Sequence, residues 1–208
     1  MPTRPQPALV VLALASSLAA CVSLKRTPEA RFFVLRPLAE PEPAGADRPP
    51  RGLVGVLPVQ LPGYLDRPQL VTWTAPDELR IDEFLRWAEP LDAGVSRTLA
   101  ENLDNLLGDL RVIRAPWPSA ARLAYRVRVR LTLFGPQADG DVRLEGRWGI
   151  LPPKDERPLL ARSVSLRHHP PAGAAAPGPF LGVEAMSQLL AELSAQVAEG
   201  LRSLPAPE

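Results

Sequence analysis

Apolar residues recur along this chain with two different periods, and each change of period marks a new element. Strict alternation runs from Ala124 to Phe134. Tyr125, Val127, Val129, Leu131 and Leu133 fall on one face; Arg126, Arg128, Arg130 and Thr132 fall on the other. That is the period of a half-buried strand. Asp139-Gly140 then supplies a turn, and Val142 to Leu151 returns with Val142, Leu144, Trp148 and Ile150 in phase. The two segments predict a hairpin with a loop a little longer than the tightest kind. Leu159 to His168 reads as a further strand with poorer alternation. Upstream, Phe32 to Leu35, Leu53 to Val59, Gln69 to Thr74 and Arg111 to Arg114 read as short strands, and Glu78 to Ile81 is placed to pair with Gln69 to Thr74.

Two segments carry the helical period instead. Between Pro90 and Gly108, Leu91, Val95, Leu99, Leu103, Leu106 and Leu107 form one apolar stripe. Pro90 suits the first turn and Gly108 the stop. From Leu181 to Leu204, residues Val183, Met186, Leu190, Leu193, Val197, Leu201 and Leu204 step by three or four. Two one-sided helices and strands with polar outer positions predict an α+β fold. Its form is a two-layer domain, a mostly antiparallel sheet with both amphipathic helices packed on one face. Leu38 to Arg51 and Pro170 to Pro179 are Pro-rich connections without period, so proline serves here as loop punctuation.

The first residues change the picture. Ala8 to Leu18 is a short apolar stretch behind a single basic residue, Arg4, and it ends in Leu18-Ala19-Ala20-Cys21. This is the layout of an export signal. About eleven apolar residues are too few for a spanning helix, which takes roughly 20. Cys21 is the only cysteine. Directly after small residues, it resembles the lipobox of bacterial lipoproteins, whose thiol receives the lipid before the leader is cut away. Residues 1–20 are then the signal peptide, 21–30 a lipidated tether and 31–204 one α+β domain. A tether of ten residues reaches on the order of 30 Å.

Composition narrows the function classes. The chain has 24 Lys and Arg against 23 Asp and Glu, and Arg4 is the leader's one charge, so the mature chain is balanced. That argues against nucleic acid and against polybasic membrane binding. With one cysteine, the fold rests on its apolar core. His168 and His169 are adjacent and point to opposite faces of a strand, a poor start for a metal site. No nucleophile elbow or phosphate loop is legible, so no catalytic residue, metal or cofactor is assigned. The row Arg126, Arg128, Arg130 reads as a solvated strand face paired with Glu145 and its neighbours, or as a grip for an acidic partner or lipid head groups.

Two segments resist a purely structural account: Leu61-Pro62-Gly63-Tyr64-Leu65-Asp66-Arg67-Pro68-Gln69-Leu70-Val71, and Phe84-Leu85-Arg86-Trp87-Ala88-Glu89-Pro90-Leu91. The prolines fix the backbone and hold Tyr64 and Leu65 on a constrained loop. Trp87 stands ahead of a helix start, where an aromatic can staple the chain entry, and Glu89 can accept from first-turn amides. The run YLDRPQLVT, then RWAEPL opening a helix that continues RTLAENL, resembles the ABC-type transport auxiliary lipoproteins, the PqiC-like (YmbA-like) group. The resemblance spans most of the mature chain in order. It departs at Trp73, where a basic residue is usual, and in a lengthened Pro-rich stretch after Leu35.

The resemblance implies a non-enzymatic lipoprotein at the periplasmic face of the outer membrane, anchored through Cys21. Its implied partners are an MCE-domain periplasmic protein and the associated inner-membrane transporter, which together move lipid between membranes and support membrane integrity. Val22 after the lipidated cysteine is compatible with outer-membrane sorting. Tyr64, Leu65, Asp66, Arg67, Trp87 and Glu89 are the candidate partner-binding residues, with a stabilising role for the same loop as the plain alternative. The rival function is a lipid or hydrophobic-ligand carrier with an internal cavity. A homo-oligomer is left open.

Overall fold

The computed structural model describes residues 28–38, 51–169 and 179–205. The leader, Cys21, most of the tether and the bulk of both Pro-rich connections lie outside the described residues. The strands are β1 Arg31–Phe33, β2 Gly52–Val56, β3 Gln69–Ala75, β4 Glu78–Trp87, β5 Leu110–Arg114, β6 Tyr125–Pro136, β7 Val142–Leu151 and β8 Leu160–His168. Helix α1 spans Leu91–Leu106 and helix α2 spans Pro179–Arg202. A short 3-10 turn covers Gly63–Leu65.

The strands form two sheets, a five-stranded one in the order β5-β2-β6-β7-β8 and a three-stranded one in the order β1-β4-β3. The fold is α+β, with mixed rather than mostly antiparallel sheets. β2 runs parallel to both its neighbours, β5 and β6, and β1 runs parallel to β4. Parallel neighbours need long crossovers. The chain supplies one by building β3, β4 and α1 between β2 and β5. β4 is longer than its alternation suggests. The Asp82 carboxylate accepts from the Phe84 and Leu85 amides (2.9 and 3.2 Å), which carries the strand through an irregularity to Trp87.

The β6–β7 hairpin forms as its alternation predicts as far as Leu131. There Leu131 opposes Gly146 and Leu133 opposes Glu145, so Thr132 is an extra residue. The bulge flips the phase. Phe134, not Leu133, becomes the buried residue beyond it. Gly146 is what permits the close approach: a Cβ there would overlap the Arg130 carbonyl oxygen and lie 2.8 Å from Leu131 Cα.

Both helices cover the same face of the five-stranded sheet. α2 packs on β6, β7 and β8, and α1 packs on β5 and α2. Leu99, Leu103, Leu190 and Leu193 are fully buried in one core with Val127, Val129 and Leu131. Burying each leucine contributes about 1.5–3 kcal/mol. α2 buries more than its predicted stripe, adding Ala185, Ser187, Leu189, Ser194 and Ala198. The reason is that α2 is covered twice, by the sheet and by the segment Leu35–Leu38. That segment lies on both helices. Arg36 N donates to Ser187 Oγ (3.2 Å), and Leu38 N donates to Asn102 Oδ1 (3.0 Å). Two buried polar side chains thereby find backbone partners.

Candidate functional site

The first of the two motif segments is a rigid turn. Pro62 enters it extended, at φ −61° and ψ 143°. Leu65 N then donates to Pro62 O (2.9 Å), Asp66 N to Gly63 O (3.2 Å) and Arg67 N to Leu65 O (2.8 Å). The turn buries Leu65 and leaves Asp66 exposed, with Tyr64 and Arg67 half-buried. The Arg67 Nε is buried with no hydrogen-bond partner among the described residues. Tyr64 meets Trp73 of β3 edge to face, with ring centroids 5.6 Å apart and planes at 76°. Burial pushes the Tyr64 phenol above its ordinary range, against a smaller opposing pull from the Trp73 indole. Trp73, where the sequence departs from the family pattern, is thus the aromatic partner of the motif tyrosine. No pattern in the sequence marks that pairing.

The second segment is tied to the first through the backbone. Trp87 N donates to Pro68 O (2.7 Å), and the following Ala88 N donates to Phe33 O (2.9 Å). The Trp87 side chain is only 7% exposed. It lines a pocket of about 220 Å³ together with Leu65, Leu70, Leu85, Phe134 and Met186. The structure therefore joins Leu65 and Trp87 beneath the turn, and keeps Tyr64, Asp66 and Arg67 at or near its surface.

Glu89 serves a different contact. Arg97 Nη2 and Nε both donate to Glu89 Oε1 (2.7 and 3.1 Å), and Nη2 also reaches the Leu35 carbonyl (2.8 Å). The Glu89 side chain folds over Gly94, where a Cβ would stand 3.2 Å from Oε1. The hydrogen bonds that Arg97 donates to Glu89 hold its guanidinium pKa above the ordinary value, against its partial burial. Glu89 thus accepts from Arg97 rather than from first-turn amides. Pro90 is the residue just before α1, so the helix begins at Leu91.

The arginine row on β6 has an acidic partner, though not the expected one. Arg126 and Arg128 both engage Glu156 of the β7–β8 loop. Their hydrogen bonds hold the Glu156 carboxyl below the usual carboxylate range. Glu145 lies across from Leu133 instead, displaced by the bulge at Thr132. At the other end of the hairpin, buried Asp141 meets Arg143, Arg167 and His169, whose Nδ1 lies 2.5 Å from Asp141 Oδ1. Among the described residues, no group of three or more His, Cys, Asp or Glu is placed to hold a metal, and no helix is long and apolar enough to cross a membrane.

Solved structures share this architecture. One uncharacterized protein is 24% identical, with 84% of this chain and 99% of that chain covered and a TM-score of 0.67. A protein from Xanthomonas campestris is 17% identical, with 81% and 93% covered and a TM-score of 0.65. These likenesses establish the fold. No curated protein matches the chain at a significant level. The model of one family, the ABC-type transport auxiliary lipoprotein component, matches residues 33–198, a span that takes in the turn, the buried tryptophan, the hairpin and most of both helices. The chain belongs to the family of ABC-type transport auxiliary lipoproteins.

Proposed function

We propose that this lipoprotein is the outer-membrane docking subunit of an MCE-type intermembrane lipid transport system. Lipid on Cys21 anchors it at the periplasmic face, and the domain binds and positions the periplasmic MCE component without making or breaking bonds. The observation that carries this reading is the proline-braced turn. Its Tyr64, Asp66 and Arg67 stand at or near the surface, with Leu65 and Trp87 fixed beneath and Glu89 locking the adjacent helix. Tyrosine and arginine on a preorganised turn are the residue types that dominate binding hot spots. The packing supports docking over carrying. The apolar side chains between the helices and the five-stranded sheet are buried against one another, and the pocket beneath the motif turn, about 220 Å³, is below the roughly 300–1,000 Å³ typical of small-molecule sites. The larger clefts, of about 410–500 Å³, are bordered by exposed residues such as Phe32, Val34, Arg130 and Arg147.

The test is capture of the MCE-domain partner by a soluble form lacking residues 1–21. Asp66→Ala and Arg67→Ala are expected to weaken capture with little change in melting point, because Asp66 is exposed and Arg67 only half-buried. Full capture by both variants would move the interface off the turn, and absence of capture by the parent protein would overturn the docking role. A companion variant, Cys21→Ser, is expected to leave an unprocessed precursor or a soluble product that no longer fractionates with the outer membrane. Unchanged fractionation would refute the anchor.

A further inference from the structure

The face of the five-stranded sheet turned away from the helices carries a second feature that the docking turn does not use. Arg130 of β6 and Arg147 of β7 are register partners, so their side chains leave the same face directly opposite each other. Both are exposed. Like charges placed this way repel. Their neighbours Arg126 and Arg128 share the single carboxylate of Glu156. Arg130 has only the neutral Gln60, whose Oε1 accepts from its Nε (2.7 Å). Arg147 has no acidic partner among the described residues. Glu145 shares its strand but lines a separate cleft with Trp73 and Arg143.

The surroundings of the pair are built. The bulge at Thr132 and its required Gly146 lie immediately beside it, and bulges re-aim the side chains next to them. The two guanidinium groups border a groove of about 410 Å³ whose floor is Gly149, Leu151, Pro158 and Ala161. Gly149 keeps that floor low, since a Cβ there would lie 3.1 Å from the Leu160 carbonyl oxygen.

We infer that this groove binds an extended acidic segment of a protein partner, whose carboxylates accept from Arg130 and Arg147 above the apolar floor. Planar guanidinium groups match carboxylates two bonds at a time, and an incoming anion removes the repulsion between the pair. A protein segment is favoured over lipid head groups by the lining of the groove. Beside the two arginines, Gly149, Leu151, Pro158 and Ala161 offer an apolar strip that a peptide's backbone and side chains can cover and a small polar head group cannot. The inference rests on the docking reading for its biological partner, but its chemistry is tested without that partner.

The acylated mature protein in neutral detergent is titrated with fluorescein-labelled octaglutamate, read by fluorescence anisotropy at low and high salt. Binding that weakens with salt is expected. The double variant Arg130→Ala with Arg147→Ala is expected to bind about tenfold more weakly. A charge-matched control, Arg114→Ala with Arg122→Ala, is expected to bind like the parent. Because the pair is repulsive, Arg147→Ala alone is expected to hold or raise the melting point. Glycerol 3-phosphate, standing for a lipid head group, is expected not to displace the peptide. The site is overturned by no binding of octaglutamate, by equal loss in the control, or by a melting point that falls together with binding. Displacement by glycerol 3-phosphate would overturn the choice of a protein segment. Octaglutamate binding without capture of the MCE partner would refute the docking reading alone, and the reverse result would refute this groove alone.

Discussion

On the five-stranded sheet, the positions turned away from the helices include Arg126, Arg128, Arg130 and Arg147; on the three-stranded sheet, Phe32, Ile81 and Phe84 are left exposed, Phe32 at 64%. Each sheet has a face that no helix covers, and the two are finished differently. The large sheet is broad enough to need charge. A polar outer surface keeps long strands from pairing with other chains. The small sheet is protected by its dimensions. Its edge strand β1 has three residues, and its exposed apolar side chains are interrupted by Arg80, Glu83 and Arg86. The comparison also separates roles. The small sheet carries both motif segments, with Trp87 ending β4 and the turn leading into β3, whereas the large sheet supplies most of the buried apolar core on which that display rests.

Substitutions can break this contrast, and the largest effect belongs to the junction of the two sheets. Trp87→Ala is expected to cost about 3–5 kcal/mol in urea unfolding, as much as a core position, because the side chain is buried against Leu65, Leu70 and Phe134. Leu193→Ala under the large sheet is expected to cost about 2–5 kcal/mol. A loss below about 1 kcal/mol at Trp87 would mean that the small sheet is not coupled to the core.

Gly146→Ala comes next. The added methyl meets backbone on β6, which cannot move aside cheaply, so a loss of about 1–3 kcal/mol is expected. A neutral outcome in thermal unfolding would show that the bulge at Thr132 relaxes freely. The smallest mutational effect is expected on the small sheet's open face. Phe32→Ser should change stability by no more than about 0.5 kcal/mol, and a larger loss would show that Phe32 is covered in the intact protein.

Acid titration sharpens the other side. The Glu156 pKa is lowered on folding by Arg128 and Arg126, so its stabilising contribution is present above the unfolded carboxylate range and is lost as pH falls through the lowered folded value. Glu156→Gln is therefore expected to flatten the acid limb of the stability curve slightly while leaving stability below that range unchanged. An unchanged acid limb would show that solvent screens the pair completely.

The alternation of Tyr125 to Leu131 and the helical stripes containing Leu99 and Leu193 were legible without coordinates, because burial on one face imposes a period on local sequence. The family pattern in YLDRPQ and RWAEPL was legible too, and so was the strand–helix order around it. What the turn and the tryptophan do in space was not. Trp87 looked like a helix-entry residue, but it is buried because β4 runs on to meet Pro68 and close the pocket over it. Nothing in its neighbourhood along the chain encodes that closure.

The sequence by itself determined most of the elements, the α+β class and the helix faces that are buried, since each follows from residue type repeated at a local spacing; the run of β4 on to Trp87 was not among them. Only the tertiary structure decided the parallel pairing of β2, the phase flip at Thr132, the choice of Glu156 over Glu145 for the arginine row, and the pairing of Tyr64 with Trp73. Those outcomes turn on which segments meet after long crossovers, and on one close backbone approach at Gly146. A periodic pattern records which face is apolar. It carries no record of the partner that the face, or the charge behind it, will find.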